Sequence, residues 1–160
     1  MRILDVVEYD CVNYKEAAMF ISLPYCTGKC WKEGGFSPEV CQNHKLMSAP
    51  IKNIDKQVLV DRYIQNPLTH AIVFGGLEPM DSYDEVSDFI AYLRYIAKCS
   101  DPVVIYTGYK EEELARKIAS LKNLSPVIIK FGRFVPDDTP HYDAVLGVRL
   151  ASRNQYAKKI

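Results

Sequence analysis

The sequence predicts an α/β fold in which parallel strands alternate with crossover helices, within one domain covering residues 1–160. Three observations predict it. Short apolar runs rich in β-branched residues recur along the chain and end at glycine or proline. Amphipathic helical patterns lie between them, and no repeat, linker or low-complexity tract breaks the alternation. Hydrophobic residues make up 48% and charged residues 25% of the chain, a balance that buries a core without disulfide staples.

The first strand is Ala17-Ala18-Met19-Phe20-Ile21-Ser22-Leu23, bounded by charge before and Pro24 after. A helix from about 55 to 65 follows, stopped by Asn66-Pro67. His70-Ala71-Ile72-Val73-Phe74 is the second strand and runs into Gly75-Gly76. Ser82-Tyr83-Asp84-Glu85 reads as a capping box, and Val86, Phe89, Ile90, Leu93 and Ala97 then recur on one helical face. Pro102-Val103-Val104-Ile105-Tyr106 forms the third strand, ending at Thr107-Gly108. Leu114, Ile118 and Leu121 mark the next helix, and 126–131 the fourth strand, ending at Gly132. Residues 144–154 add one more strand. The runs lack alternation, as expected of a parallel sheet covered on both faces. Strand–helix–strand order implies right-handed crossovers, which gather the post-strand loops at one edge where such folds bind ligands.

Twenty basic and twenty acidic side chains cancel, which argues against a phosphate-dominated nucleic-acid binder. The N-terminus lacks the layout of a signal peptide, and no apolar run approaches a membrane span. The expected compartment is the cytoplasm, where thiols stay reduced. Five cysteines are present; Cys11 and Cys99 stand apart and read as small apolar residues.

The other three form Cys26-x3-Cys30-x10-Cys41 in the loop after the first strand. Thiolates are soft ligands that select iron–sulfur clusters, zinc or copper(I). Three of them leave one iron of a cubane open to a substrate. Adding His44 would instead close a four-ligand zinc site. The spacing points to a metal and leaves the choice between cluster and zinc open. No catalytic triad is apparent, since His44, His70 and His141 form no pattern with serine or cysteine.

Pro24-Tyr25-Cys26-Thr27-Gly28-Lys29-Cys30 resembles the cluster loop of the radical S-adenosylmethionine superfamily. Within it the chain resembles the small activases of anaerobic ribonucleotide reductase. Gly75-Gly76-Leu77-Glu78-Pro79, Tyr106-Thr107-Gly108-Tyr109 and Ser152-Arg153-Asn154-Gln155 are similar to the family's later landmarks, in the family's order. The third cysteine departs from it. The family's spacing would put that cysteine at Glu33, whereas Cys41-Gln42-Asn43 resembles its Cys-x-Asn, displaced by an insertion through 34–38. Leu77 is an extra residue between glycine and glutamate, and Lys130 stands where many activases carry an acid.

The resemblance implies an incomplete (β/α) barrel of the radical S-adenosylmethionine type and an oxidoreductase with two cofactors. A 4Fe-4S cluster would be held by Cys26, Cys30 and Cys41. S-adenosyl-L-methionine would be held by Gly75, Gly76, Glu78, Thr107, Gly108 and Asn154. Cleavage of S-adenosylmethionine would yield a 5′-deoxyadenosyl radical, which takes hydrogen from a glycine of the reductase's large subunit. The implied partners are that glycyl radical enzyme and an electron donor such as flavodoxin or ferredoxin, with no membrane and no direct nucleic acid. The alternatives are a radical enzyme acting on a small molecule and a non-catalytic Cys3His zinc-stabilised interaction domain.

Overall fold

Ten strands and four short helices form along Met1–Ile160, all of which the computed structural model describes. In chain order they are β1 (Arg2–Ile3), β2 (Asp5–Asp10), β3 (Ala18–Leu23), α1 (Lys29–Gly34), β4 (Lys52–Asn53), α2 (Lys56–Gln65) and β5 (Ile72–Gly76). Then come α3 (Tyr83–Tyr95), β6 (Val103–Tyr106), α4 (Ala115–Leu121), β7 (Val127–Phe131), β8 (His141–Asp143), β9 (Val148–Leu150) and β10 (Tyr156–Lys159). The main sheet has six strands in the order β10-β7-β6-β5-β3-β2. Its four inner strands are parallel, paired Ile21↔Phe74, Phe74↔Ile105 and Ile105↔Ile129. They match the four strands expected from the sequence. No helix is long and apolar enough to cross a membrane.

The expected incomplete barrel is not formed. The sheet is open and mixed, because antiparallel strands β2 and β10 occupy its two edges and end the parallel run. Helices of 6, 10, 13 and 7 residues are too short to build the outer ring of a barrel. Both edge strands lay outside the sequence reading. Asp5-Val6-Val7-Glu8-Tyr9-Asp10 carries a half-exposed pattern, and Tyr156-Ala157-Lys158-Lys159 is mostly polar, as suits strands whose outer edge meets water. The strand expected over 144–154 is instead half of a small hairpin, β8 paired with β9.

The two sheet faces differ. On one, Met19, Ile21, Ile72, Phe74, Val103, Ile105 and Ile129 pack against Leu59, Tyr63, Phe89, Leu93 and Ile118 of the crossover helices. Phe74 meets Phe89 edge to face at 5.3 Å. The other face has a smaller core, where Ala18, Val73, Val104 and Ile128 lie under Tyr14, Leu146 and Leu150. That smaller cover leaves the carboxyl ends of the strands open on this face. Side chains alternate along a strand, so Phe20, Ser22, Tyr106 and Lys130 share the face of Ala18, Val104 and Ile128.

The capping box is corrected. The Ser82 hydroxyl is buried without a partner, and Glu85 accepts from the Arg2 Nε at 2.6 Å instead. A 3-10 turn over Pro79–Ser82 already leads into α3, capped by Glu78, whose carboxylate accepts from the Met80 N–H at 2.9 Å. The helix thus continues a turn rather than starting in free chain.

Candidate functional site

A cavity of about 480 Å³ opens at the carboxyl ends of β3, β5, β6 and β7. That volume lies in the range of roughly 300–1,000 Å³ common for small-molecule sites. Cys26, Cys30 and Cys41 all reach its wall, as do Gly75, Gly76, Glu78, Thr107 and Gly108.

The cysteine segment is held by several independent ties. Gly28 sits at φ 72°, a left-handed turn that starts α1 and brings Cys30 round. The Thr27 N–H donates to Asp81 at 2.7 Å, and Lys29 pairs with Glu113 at 2.8 Å. Arg133 follows β7 and is 9% exposed. It grips Glu33 with two bonds of 3.0 Å, Glu113 with one of 2.9 Å, and donates to the Gly108 carbonyl. Both Glu33 oxygens are therefore engaged by Arg133, and Glu33 is not among the residues that line the cavity. His44 turns its Nδ1 to the Cys41 carbonyl at 3.1 Å. The segment bearing Cys41 is tied down by Asn43, whose side-chain amide donates to the Gly76 carbonyl at 2.6 Å.

All five thiols are free. Cys26 is reached by solvent, yet desolvation by the surrounding walls pushes its thiol up to about 11. Burial likewise raises Cys30. A metal taken up here must displace their protons. No three Cys, His, Asp or Glu side chains converge on a point where one metal ion would sit. A Cys3His zinc site would need His44 as well, and His44 is not among the residues lining the cavity that the three cysteines reach. A cubane cluster takes its ligands at separate corners, and three soft thiols lining one cavity fit that group in kind.

The glycines answer to neighbouring side chains. A Cβ at Gly75 would lie 2.6 Å from the Phe20 ring, and one at Gly76 would lie 2.0 Å from the Ser22 hydroxyl. Gly76 also has φ +80°, which favours glycine. Gly108 makes room for a thiol, since its Cβ would stand 2.8 Å from the Cys30 sulfur.

Glu78 is buried and points between loops. Its Oε1 accepts from the Met80 N–H and, at 2.7 Å, from the Thr107 hydroxyl, while Oε2 accepts from the Gly108 N–H at 2.8 Å. Burial raises its pKa and these three bonds oppose the rise. The carboxylate thus staples the loop after β5 to the loop after β6. Thr107 extends the staple by accepting from the Tyr109 N–H at 3.0 Å.

Asn154 lies off the cavity wall and donates to the Arg133 carbonyl at 2.9 Å. Its neighbour Gln155 lines the cavity instead, accepting from the Ala151 and Ser152 N–H groups at 3.1 Å each. Lys130, outside the expected ligand-binding set, projects into the cavity from β7. Burial pushes its ammonium down to about 8, while Glu78 and Cys30 oppose the fall.

No family model matches the chain, and neither a curated protein nor a solved structure matches it.

Proposed function

We propose that the cavity holds S-adenosylmethionine beside a four-iron cluster carried by Cys26, Cys30 and Cys41, and that the chain is a radical-generating oxidoreductase. One observation carries this reading: three unpaired thiols share a single small-molecule-sized cavity with the post-strand loops Gly75-Gly76 and Thr107-Gly108. A reduced four-iron cluster, when bound, supplies the electron that breaks a sulfonium carbon–sulfur bond.

This chain's own residues have distinct duties in that reading. Trp31, Val40 and Leu46, near the cysteines in sequence, add apolar surface to the same cavity and so limit water there. Glu78 holds the two glycine loops at fixed separation, so the ligand meets preformed backbone. Gly108 keeps Cys30 against the cavity. The hydrogen donor, a glycine of the large subunit of anaerobic ribonucleotide reductase, follows from the motif resemblance alone.

The test is anaerobic iron–sulfur reconstitution of the full chain, followed by iron and sulfide analysis. About four irons per chain are expected. Binding should fall in Cys26→Ala, Cys30→Ala and Cys41→Ala while Cys11→Ala and Cys99→Ala match the parent. One tightly bound zinc and no sulfide would overturn the reading.

A further inference from the structure

Four buried side-chain polar atoms have no hydrogen-bond partner: Trp31 Nε1, Thr69 Oγ1, Ser82 Oγ and His141 Nδ1. Of these four residues, Trp31 is the one that lines the cavity. An indole N–H donates and cannot accept, so only an incoming acceptor satisfies it. Leaving it unpaired costs its desolvation, and such a cost persists where a bound group offsets it.

The placement of Trp31 points to that group. It follows Cys30 directly in α1 and shares the cavity with Cys26 and Cys30. Its indole packs on Gly28, where a Cβ would stand 2.7 Å from Nε1 and 2.4 Å from Cζ2. The Gly28 N–H in turn donates to the Cys26 sulfur at 3.3 Å. The indole N–H thus lies beside the turn that joins Cys26 to Cys30. A second contact fixes the ring: the Lys32 ammonium stands 5.1 Å from its centroid and donates to the Thr27 carbonyl at 2.6 Å.

We propose that Trp31 tunes the reduction potential of the cluster, its indole N–H donating to a sulfur of the iron–sulfur group that Cys26 and Cys30 carry. The assignment rests on the reading of the three thiols as ligands of a four-iron cluster. Cluster sulfurs carry negative charge, and one-electron reduction adds to it. A hydrogen bond strengthens with the charge on its acceptor, so the N–H favours the reduced state and raises the potential.

Trp31 is the chain's single tryptophan, so a label in that amino acid reports on this side chain alone. The test uses the full chain, reconstituted without oxygen after growth on tryptophan isotopically labelled at the indole nitrogen. Pulsed electron paramagnetic resonance of the dithionite-reduced cluster should show coupling to the labelled nitrogen. In a redox titration, Trp31→Phe should hold a reduced-to-oxidised ratio about tenfold below the parent's at the same applied potential, the size of one hydrogen bond. For a one-electron couple that is a potential lower by about 59 mV. Water admitted beside the smaller ring would stabilise the more charged state and move the potential upward instead. Iron content and thermal melts check that the variant folds and loads; where it does not, the labelled parent decides alone. No coupling in the loaded parent, or a variant potential equal to or above the parent's, would overturn the tuning role and leave the cluster reading standing. A parent that takes up no iron and sulfide would overturn both.

Discussion

Replacing Arg133 with methionine removes the side chain that ties the cysteine helix to the strand ends. The pair with Glu33 adds little, because that carboxylate is 50% exposed and screened by solvent. Glu113 is 24% exposed, so its pair contributes at the upper end of the range for surface pairs, about 1 kcal/mol. The bond to the half-buried Gly108 carbonyl is charge-assisted and contributes about 1.5–3 kcal/mol. Stacking over Tyr109, at 5.3 Å, adds roughly 0.5–1 kcal/mol. Methionine keeps the apolar stem and sheds the desolvation cost of the guanidinium, which returns on the order of 2 kcal/mol. The net loss expected is about 1–3 kcal/mol, or roughly 2–12 °C in melting temperature for a chain of this size. Urea unfolding followed by circular dichroism reads it as a lower midpoint at unchanged slope. Glu33→Gln is the internal comparison and should leave the midpoint close to the parent's, since that carboxylate is exposed. The reasoning fails if Arg133→Met stays within about 0.5 kcal/mol of the parent, or if Glu33→Gln costs as much as it does.

Other perturbations have equally specific outcomes. Gly76→Ala combines a left-handed φ with a Cβ only 3.0 Å from the Leu23 amide nitrogen, so a loss above about 2 kcal/mol is expected by urea unfolding. Gly108→Ala forces the Cys30 sulfur away, and iron retained after reconstitution should drop more than the melting temperature does. Asn43→Ala deletes the tie to the Gly76 carbonyl; expect about 1 kcal/mol lost and faster alkylation of Cys41 than in the parent, with Cys99 unchanged. Burial raises the Glu113 carboxyl, but bonds from Arg133, Lys29 and the Lys110 N–H outweigh it and bring it from 4.5 to about 2. A depressed carboxyl contributes stability that is present above 4.5 and lost as pH falls toward 2. Glu113→Gln should therefore flatten the acid limb of the stability–pH curve, and an unchanged limb would contradict the network.

The inner sheet was legible because its strands are buried runs of branched residues that tolerate no other placement. Val103-Val104-Ile105 and Val127-Ile128-Ile129 face packed cores on both sides. The edges were not, since Tyr156–Lys159 is short and mostly polar, with three of its four side chains exposed or bonded at the surface and little apolar pattern to mark a strand. The barrel was inferred from motif order, which says nothing about how a sheet ends. Asn154 shows the same limit, being one residue from the cavity-lining position. Glu78 could not be read as a staple, because its three partners come from loops 2 to 30 residues away. Lys130 did carry a signal: a lysine at the end of a buried branched run must face either a core or a site.

The most direct measurement is formation of 5′-deoxyadenosine by the reconstituted chain, reduced with dithionite and supplied with S-adenosylmethionine without oxygen. Product is expected from the parent, Cys11→Ala and Cys99→Ala, and not from Cys26→Ala, Cys30→Ala or Cys41→Ala. An iron-loaded parent that makes none, or a Cys41→Ala variant that makes as much as the parent, would contradict the proposed chemistry of this cavity.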